Sequence, residues 1–311
     1  MASPGSLERR IGIALLVGIA VAAFLVLTVY LWQTTEARRA APSGADAPPA
    51  AVVTPARAVG TPSVPYRFDQ PIARFELPAD LVEISGLTVL DERTLGAVQD
   101  EEGTLFALDR ETGEVTAVMP FGPPGDYEGV ELVGDHLYVL RSDGVLFHVA
   151  GWGGGDMNSR EIATGLARDC DAEGLGYDAA RERLLIACKE ATSEDAAGLR
   201  AVYAFDPRSE ALDEAPAFVI DSDEVGGSRP LKPSAIAVHP VTGTVVVLSS
   251  AREVLVSLDA SGAVADVWRW AEAGFEQPEG IAFWPNGDLV VSSEGNKRPA
   301  VLMMFAYEAA P

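Results

Sequence analysis

The chain has 311 residues, 48% of them hydrophobic, which is enough apolar material for one large domain core or two smaller ones. Its formal net charge of −23 argues against a nucleic-acid partner, which would need a basic face, and against docking on anionic lipid. An acidic surface favours solubility and the binding of cations.

The first predicted element is a membrane span over residues 11–32. These 22 residues carry no charge, and at about 1.5 Å each they span the roughly 30 Å hydrocarbon layer. Arg9 and Arg10 precede the run, and Tyr30 lies where interfacial aromatic residues are found. A cleaved signal peptide, a twin-arginine signal and a buried soluble helix fit this long, aromatic-ended run less well. We therefore expect a single-pass anchor in the cytoplasmic membrane, with residues 1–10 inside and the following domain facing the periplasm or the cell exterior.

Residues 33–65 form the predicted linker. Ala, Pro, Ser, Thr and Gly make up most of this stretch, and no apolar periodicity survives. Such a composition cannot bury enough surface to offset the entropy of ordering the chain. We expect an extended tether that holds the domain away from the membrane.

The rest of the chain is organised around a short repeated motif. A Glu or Ser is followed by a small residue and then by a branched apolar residue, five times, at steps of 43, 45, 61 and 45 residues. A period in this range indicates stacked or radial supersecondary units. The copies are Ser85-Gly86-Leu87, Glu128-Gly129-Val130, Glu173-Gly174-Leu175, Ser234-Ala235-Ile236 and Glu279-Gly280-Ile281.

Each copy opens a series of apolar runs and turns that suits a four-stranded propeller blade. The fifth copy is followed by too few strands for a full blade. The segment Ile72–Leu77 precedes the first copy, alternates apolar and polar residues, and can supply the missing outer strand. We therefore predict an all-β, five-bladed β-propeller over residues 66–311, closed by its N-terminal strand so that exposed sheet edges disappear. A sixth blade within residues 190–232 is rejected because that stretch is too polar.

Six motifs in this order resemble the SdiA-regulated family of bacterial envelope proteins. They are EISGL, DEEGTLFALD, DYEGVEL, DAEGLGYD, KPSAIAVHPVTG and QPEGIAFWPNGDLVVSSEGN, spread over about residues 70–308. The resemblance implies a five-bladed propeller distantly similar to NHL-repeat propellers, with a bound calcium ion, and brings no established activity. The calcium-dependent gluconolactonase and regucalcin family is a more distant look-alike.

Carboxylates recur at the predicted mouth of the central channel. The first strand of each blade lines the channel, and the end of the antiparallel second strand lies beside its start. Glu128, Glu173 and Glu279 open first strands, whereas Asp100 and Glu294 end second strands. We expect Glu279 and Glu294 to face each other at roughly 5 Å. Hard oxygen donors without His or Cys suit calcium, so these five residues are predicted to hold a structural calcium ion.

Ion pairing within the blades is the alternative to a metal. Arg141 ends the second strand of blade 2 and could pair with Glu128, and Lys189 stands in the same relation to Glu173. Both pairs together would neutralise blades 2 and 3. The carboxylates of blades 5 and 1 would still have no evident cation.

Cys170 and Cys188 are the only cysteines. Cys170 precedes the first strand of blade 3 and Cys188 ends the second, so the hairpin sets them nearly opposite. A disulfide in an oxidising compartment and two buried thiols both remain open at this point.

Two classes of function follow from these features. The favoured one is a membrane-tethered propeller that acts as a binding or scaffolding module for an unknown protein or small-molecule ligand, with calcium as a structural ion. The other is a calcium-dependent hydrolase of the lactonase or esterase type, with its site at the channel mouth. No Ser-His-Asp set can be assembled by spacing, and no G-x-S-x-G motif occurs.

Overall fold

Five antiparallel sheets arranged as blades make up the part of the chain that the computed structural model describes. The described residues are 65–154, 157–166, 170–190, 197–270 and 274–308. Among them, no helix is both long and apolar enough to cross a membrane. The predicted anchor over residues 11–32 lies outside the described residues, as does all but the last residue of the predicted linker.

The first three blades follow the chain, each running outward from its inner strand. Blade 1 consists of β2 (Ile84–Val89), β3 (Thr94–Gln99), β4 (Thr104–Asp109) and β5 (Val115–Pro120). Blade 2 consists of β6 (Tyr127–Val133), β7 (His136–Arg141), β8 (Val145–Ala150) and β9 (Asn158–Ala163). Blade 3 consists of β10 (Ala172–Asp178), β11 (Arg183–Cys188) and β12 (Leu199–Asp206), against which both β13 (Ala211–Leu212) and β14 (Phe218–Asp221) pair.

The last two blades complete the ring. Blade 4 consists of β15 (Ala235–Val238), β16 (Val245–Ser249), β17 (Val254–Leu258) and β18 (Val264–Arg269). Blade 5 consists of β19 (Gln277–Phe283), β20 (Leu289–Glu294), β21 (Val301–Phe305) and β1 (Ala73–Glu76). The short helix α1 (Ser222–Val225) and the 3₁₀ turns Ala79–Leu81 and Ser250–Arg252 are the described helical elements. The all-β, five-bladed propeller expected from the repeat is therefore the observed fold.

The strand sequences follow their depth in each blade. Every residue of β16, whose sequence is VVVLS, is buried, as expected for a strand covered on both faces. By contrast, β5 alternates half-buried and exposed residues because only one of its faces packs on a neighbouring blade. Burial of these apolar side chains between the blades supplies the main driving force for folding, at about 25 cal/mol per Å² of apolar surface.

Blade 5 is built from both ends of the described chain. Strand β1 pairs antiparallel with β21, placing Ala73 opposite Met304 and Glu76 opposite Val301. This is the position expected for the segment Ile72–Leu77. The preceding residues are also held, because the Tyr66 hydroxyl donates a hydrogen bond to the backbone carbonyl of Gly287 at 2.9 Å.

The five inner strands β2, β6, β10, β15 and β19 surround the axis, and each contacts the next around the ring, including β19 with β2. The small residue of the repeat explains how closely they approach. A Cβ atom on Gly86 would lie 2.7 Å from the backbone nitrogen of Val130, and one on Gly174 would lie 2.8 Å from that of Ile236. A Cβ atom on Gly129 would lie 2.6 Å from Cβ of Leu175. The repeated glycine is therefore a packing requirement at the axis.

Cys170 and Cys188 form a disulfide, with their Cα atoms 5.0 Å apart. The bond joins the residues just before β10 to the last residue of β11. Of the two alternatives that the sequence left open, the structure therefore has the disulfide and not two buried thiols. The bond links the two chain segments that enter and leave the channel mouth in blade 3.

Candidate functional site

A β-bulge occurs at the start of the inner strand in blades 1, 2, 3 and 5. In blade 2, Tyr127 pairs with Arg141 and Gly129 pairs with Leu140, so that Glu128 has no partner on the neighbouring strand. Glu173 in blade 3 and Glu279 in blade 5 likewise have no partner on the neighbouring strand. A bulge bends the strand and re-aims a side chain. The bulge and the glycine that follows it thus place the repeated glutamate at the channel mouth.

The carboxylates act on one another's pKa values, which places them close together. The charge of Glu173 contributes to the raised pKa of Glu128, after the larger effect of burial. Burial also raises the pKa of Glu294 to about 8, and the charges of Glu279 and Asp100 add to it. Loss of hydration disfavours the charged form, and neighbouring negative charges disfavour it further. All five predicted residues therefore belong to one acidic region, which we call the mouth cluster: Asp100, Glu128, Glu173, Glu279 and Glu294.

The expected direct pairing of Glu279 with Glu294 is wrong, because Gly280 lies opposite Ser292 in this hairpin, so that Glu294 lies beyond the level of Glu279, and because the bulge takes Glu279 out of the ladder. The extra residue shifts the register, so that Gln277 lies opposite Glu294 and Pro278 lies opposite Ser293. The Gln277 amide Nε2 donates a hydrogen bond to Oε2 of Glu294 at 2.5 Å. Glu294 therefore has a neutral hydrogen-bond donor beside it instead of a directly paired cation.

Blade 3 contains an ion pair inside the mouth. Lys189 Nζ lies 2.7 Å from Oε1 of Glu173, as the ion-pairing alternative predicted. The Glu173 side chain is only 5% exposed, whereas that of Lys189 is 36% exposed. Burial raises the pKa of Glu173 to about 7 even though the hydrogen bond and the charge of Lys189 act in the opposite direction. One lysine therefore does not fully offset the desolvation of its own partner.

Blade 2 does not form the ion pair that the same alternative predicted. Arg141 instead binds Asp143 through two hydrogen bonds, Nε to Oδ1 and Nη2 to Oδ2, each 2.9 Å long. Its guanidinium also lies over the ring of Phe147, 5.3 Å from the centroid. Glu128 is left without an arginine partner, and burial together with the charge of Glu173 raises its pKa to about 9.

Asp100 lies among further acidic groups. Burial raises its pKa to about 6, followed by the charges of Glu83, Asp126 and Glu101. Its Oδ1 atom is buried and accepts no hydrogen bond from the part of the chain that the structure describes. A buried carboxylate oxygen without a donor is costly unless the group is protonated or meets a cation.

A second layer of acidic residues was missed by the sequence analysis. Glu83, Asp126 and Asp171 each lie two residues before the repeated Ser or Glu, and they raise the pKa values of Asp100, Glu128 and Glu173 respectively. The signal was present in the sequence, because that position is acidic in three of the five copies.

The mouth cluster has the type of donor atoms that calcium binds, but its side chains do not form a complete coordination shell. Its ligand atoms are carboxylate oxygens, the donors that calcium prefers. Lys189 is the one cation among the described residues that acts on Glu128, Glu279 and Glu294. However, the described residues contain no group of three or more acidic, His or Cys side chains positioned to hold a metal ion. Binding of an ion at the mouth would require these side chains to rotate toward it.

A further carboxyl group with a raised pKa lies on an inner strand, beyond the glycine. Glu131 lies two residues after Gly129 on β6, where the Thr88 hydroxyl and the Tyr177 backbone act to lower its pKa. Burial nevertheless raises its pKa to about 8. Thr88 in turn accepts a hydrogen bond from the backbone of Leu132 at 3.2 Å. The sequence offered no signal for this residue, because the other repeats carry no acid at this position.

The described histidines take part in packing between side chains. His136 and His148 lie against each other in blade 2, with ring centroids 4.6 Å apart. His239 is buried against Tyr307 and Phe283, at 4.6 and 4.9 Å between ring centroids. These contacts involve none of the residues of the mouth cluster.

The match to known families decides what kind of propeller this is. The family described as SdiA-regulated matches residues 68–299, most of the described domain. The chain belongs to the SdiA-regulated family. The resemblance carried by the six repeat motifs is thereby confirmed for this member of the family. No curated protein matches this sequence.

Several solved structures are similar to this SdiA-regulated protein. Glutaminyl cyclase of Myxococcus xanthus is 18% identical, with a TM-score of 0.56, over 78% of this chain and 97% of that one. A PQQ-bound aldose sugar dehydrogenase from Streptomyces coelicolor is 16% identical, with a TM-score of 0.46, over 76% and 99%. A luciferin-regenerating enzyme is 12% identical, with a TM-score of 0.47, over 76% and 96%. At 18% identity the likeness to the glutaminyl cyclase shows the fold alone.

Proposed function

We propose that this SdiA-regulated protein is a membrane-anchored propeller of the bacterial envelope that binds calcium at the mouth cluster and acts as a binding or scaffolding module. The observation that carries the proposal is the charge balance of the mouth. Burial and mutual repulsion raise the pKa values of all five carboxyl groups, and one lysine acts among them. A divalent cation would relieve both effects at once.

Asp100 and Glu279 are the strongest candidates for direct ligands. Asp100 has a buried oxygen without a donor, and Glu279 is a bulge residue whose pKa is raised by burial. Glu128 and Glu294 could complete the shell directly or through water. Glu173 is held by Lys189 and would contribute mainly charge. A bound ion would neutralise the mouth and fix the starts of the inner strands with respect to one another.

The disulfide supports a location outside the cytoplasm. Disulfides persist in oxidising compartments and are rare in the cytosol of most bacteria. The bond between Cys170 and Cys188 thus agrees with a domain that faces the periplasm or the cell exterior, tethered through residues 11–32. Protease added to intact spheroplasts should digest the domain, whereas protection until the membrane is broken would reverse the orientation.

Calcium-dependent hydrolysis is the second candidate function. Burial brings the pKa of Asp100 to about 6 and that of Glu173 to about 7, close to the range in which a carboxylate can serve as a general base at neutral pH. A hydrolase screen against lactones and esters, with and without calcium, distinguishes this function from binding alone. Turnover that depends on calcium and disappears in Asp100→Asn would favour the enzyme.

Thermal unfolding tests the calcium site. Because an ion that binds only the folded state stabilises it by mass action, millimolar calcium should raise the melting temperature relative to chelator. Glu279→Gln should shrink that rise, because it removes a charged ligand from the mouth.

Glu131→Gln is the matched control for this experiment. It removes the charge of a carboxyl group with a raised pKa on the same ring of inner strands, but beyond the glycine. The control should leave the effect of calcium unchanged. Equal melting curves in calcium and in chelator would show that calcium does not stabilise the domain. An equal reduction of the calcium-dependent rise in Glu279→Gln and Glu131→Gln would show that the ion does not bind at the mouth cluster.

A further inference from the structure

Four arginines that form no ion pair with a described carboxylate lie together between blades 3 and 4. Ten other arginines of the described chain form salt bridges with Asp or Glu side chains. The remaining described arginines are Arg200, Arg229, Arg252 and Arg269. In a protein whose net charge is −23, this concentration of positive charge without described acidic partners calls for a physical explanation.

Three of these arginines line one cleft. It has a volume of about 220 Å³, and its walls come from the loop after α1, the 3₁₀ turn after β16 and the last residue of β18. Arg229, Arg252 and Arg269 belong to these three segments respectively. Glu253 also lines the cleft, but it is exposed and forms no ion pair with the arginines. We call this feature the arginine cleft.

Arg252 is held rigidly at the base of the arginine cleft. Its Nη1 donates hydrogen bonds to the backbone carbonyls of Ser222 at 2.8 Å and Gly226 at 2.7 Å, and its Nε donates to that of Arg229. The chain can wrap around the guanidinium because Gly226 and Gly227 take φ values of +68° and +99°, which glycine adopts without strain. A guanidinium fixed by three carbonyls loses little entropy when it binds a ligand.

The charges around the arginine cleft repel one another. Arg200 lies behind it and is only 2% exposed, with a buried Nε that has no partner among the described residues. Burial lowers the pKa of Arg252, and the charges of Arg269 and Arg200 lower it further, while Asp223 opposes them. Arg229 and Arg269 are exposed and each donates one backbone hydrogen bond, to Ala251 and Val225. Most of their fork-shaped donor groups remain available.

We propose that the arginine cleft binds an oxyanion, the phosphate or carboxylate group of a small ligand. Guanidinium groups match the geometry of these anions with paired, charge-assisted hydrogen bonds. The arginine cleft lies on the same face of the propeller as the mouth cluster, because the 3₁₀ turn directly follows the mouth end of β16. The proposal does not depend on calcium at the mouth.

Calorimetric titration with inorganic phosphate and, separately, with acetate tests the proposal. The full folded domain is used in metal-depleted buffer at constant ionic strength, without a chelator, because polyanionic chelators would compete for the cleft and calcium would precipitate phosphate. We expect saturable binding of one or both anions, and the preferred anion identifies the ligand group.

The double variant Arg229→Gln/Arg269→Gln should weaken binding about a hundredfold, roughly tenfold for each charged donor. Both side chains are exposed, so the variant should fold, whereas Arg252 is left intact because it holds the loop. The matched control is Arg208→Gln, an exposed arginine paired with Glu182 elsewhere in blade 3, which should bind as the native domain does. Lack of saturable binding by the native domain, or equal binding by the double variant, would overturn the proposal.

Discussion

Blade 4 differs from blades 2, 3 and 5 at the start of its inner strand and in the residues just before it. In those three blades a glutamate occupies a β-bulge before a glycine. Blade 4 has Ser234 before Ala235 at this place, and its β15–β16 ladder runs without a register shift. Two residues earlier it carries Lys232, where blades 2 and 3 carry Asp126 and Asp171.

The comparison shows that different blades contribute charges of opposite sign to one face of the propeller. The glutamate blades contribute four of the five acids of the mouth cluster, Glu128, Glu173, Glu279 and Glu294, and burial raises the pKa of each. Blade 4 contributes a serine to the mouth and carries two arginines of the arginine cleft, Arg252 and Arg269. The face of the propeller is thus divided into an acidic centre and a basic flank.

The largest expected effect tests the glycine of the repeat. Gly174→Ala should destabilise the domain by about 3 kcal/mol, because its Cβ would lie 2.8 Å from the backbone nitrogen of Ile236, which cannot move independently of the ring. The melting temperature should fall by about 10 °C in a domain of this size. Gly153→Ala is the control, because no atom lies within 4 Å of its Cβ position. A native melting temperature for Gly174→Ala would show that the inner strands can move apart to accept a Cβ atom at this position. Blade 4 already carries one there, on Ala235.

Two lysines provide the next comparison. Lys189→Met leaves the buried Glu173 charge without its partner and should cost about 2 kcal/mol at pH 8, less than for a fully buried pair because Lys189 is partly exposed. The loss should shrink at pH 5, where Glu173 is protonated. Lys232→Met in blade 4 breaks a more exposed pair with Glu190 and should cost about 0.5 kcal/mol. Urea unfolding of both variants at the two pH values measures this, and equal costs would mean that burial in blade 3 is unimportant.

The smallest effect concerns the dependence of stability on pH. The folded-state pKa values are about 6 for Asp100, 7 for Glu173, 8 for Glu294 and 9 for Glu128, all above the ordinary range of carboxyl groups. The folded state therefore binds more protons than the unfolded state, and the stability present below about pH 4 is lost as the pH rises through 6 to 9. Without metal, we expect the free energy of unfolding to fall by about 1 kcal/mol between pH 6 and 8, after allowance for solvent screening.

Calcium should flatten this dependence, because it favours the charged carboxylates that high pH produces. Urea unfolding across the pH range, with and without calcium, provides the measurement. Stability of the metal-free domain that rises with pH would contradict the raised pKa values of the mouth cluster.

The repeat in the sequence was sufficient to predict the five blades and the segment that forms β1. It also placed the mouth carboxylates at strand ends, because strand order and antiparallel pairing follow from alternating apolar runs and turns. It could not show the bulges, since an extra residue in a ladder leaves the apolar pattern almost unchanged. The predicted pairing of Glu279 with Glu294 was wrong because assigning residues to strand ends does not fix the register, which here sets Gly280 opposite Ser292.

The sequence by itself determined the blade count, the family and the acidic character of the mouth, because these depend on residue types at a fixed period. The tertiary structure alone decided which charges are compensated. Arg141 turns to Asp143, Lys189 binds Glu173, and arginines far apart in sequence meet in the arginine cleft. Such pairings depend on side-chain direction and on loops of unequal length between blades. Side-chain direction and loop length do not follow the period of the repeat. Long flexible side chains can pair with several neighbours, and which pair forms depends on the backbone of the folded ring.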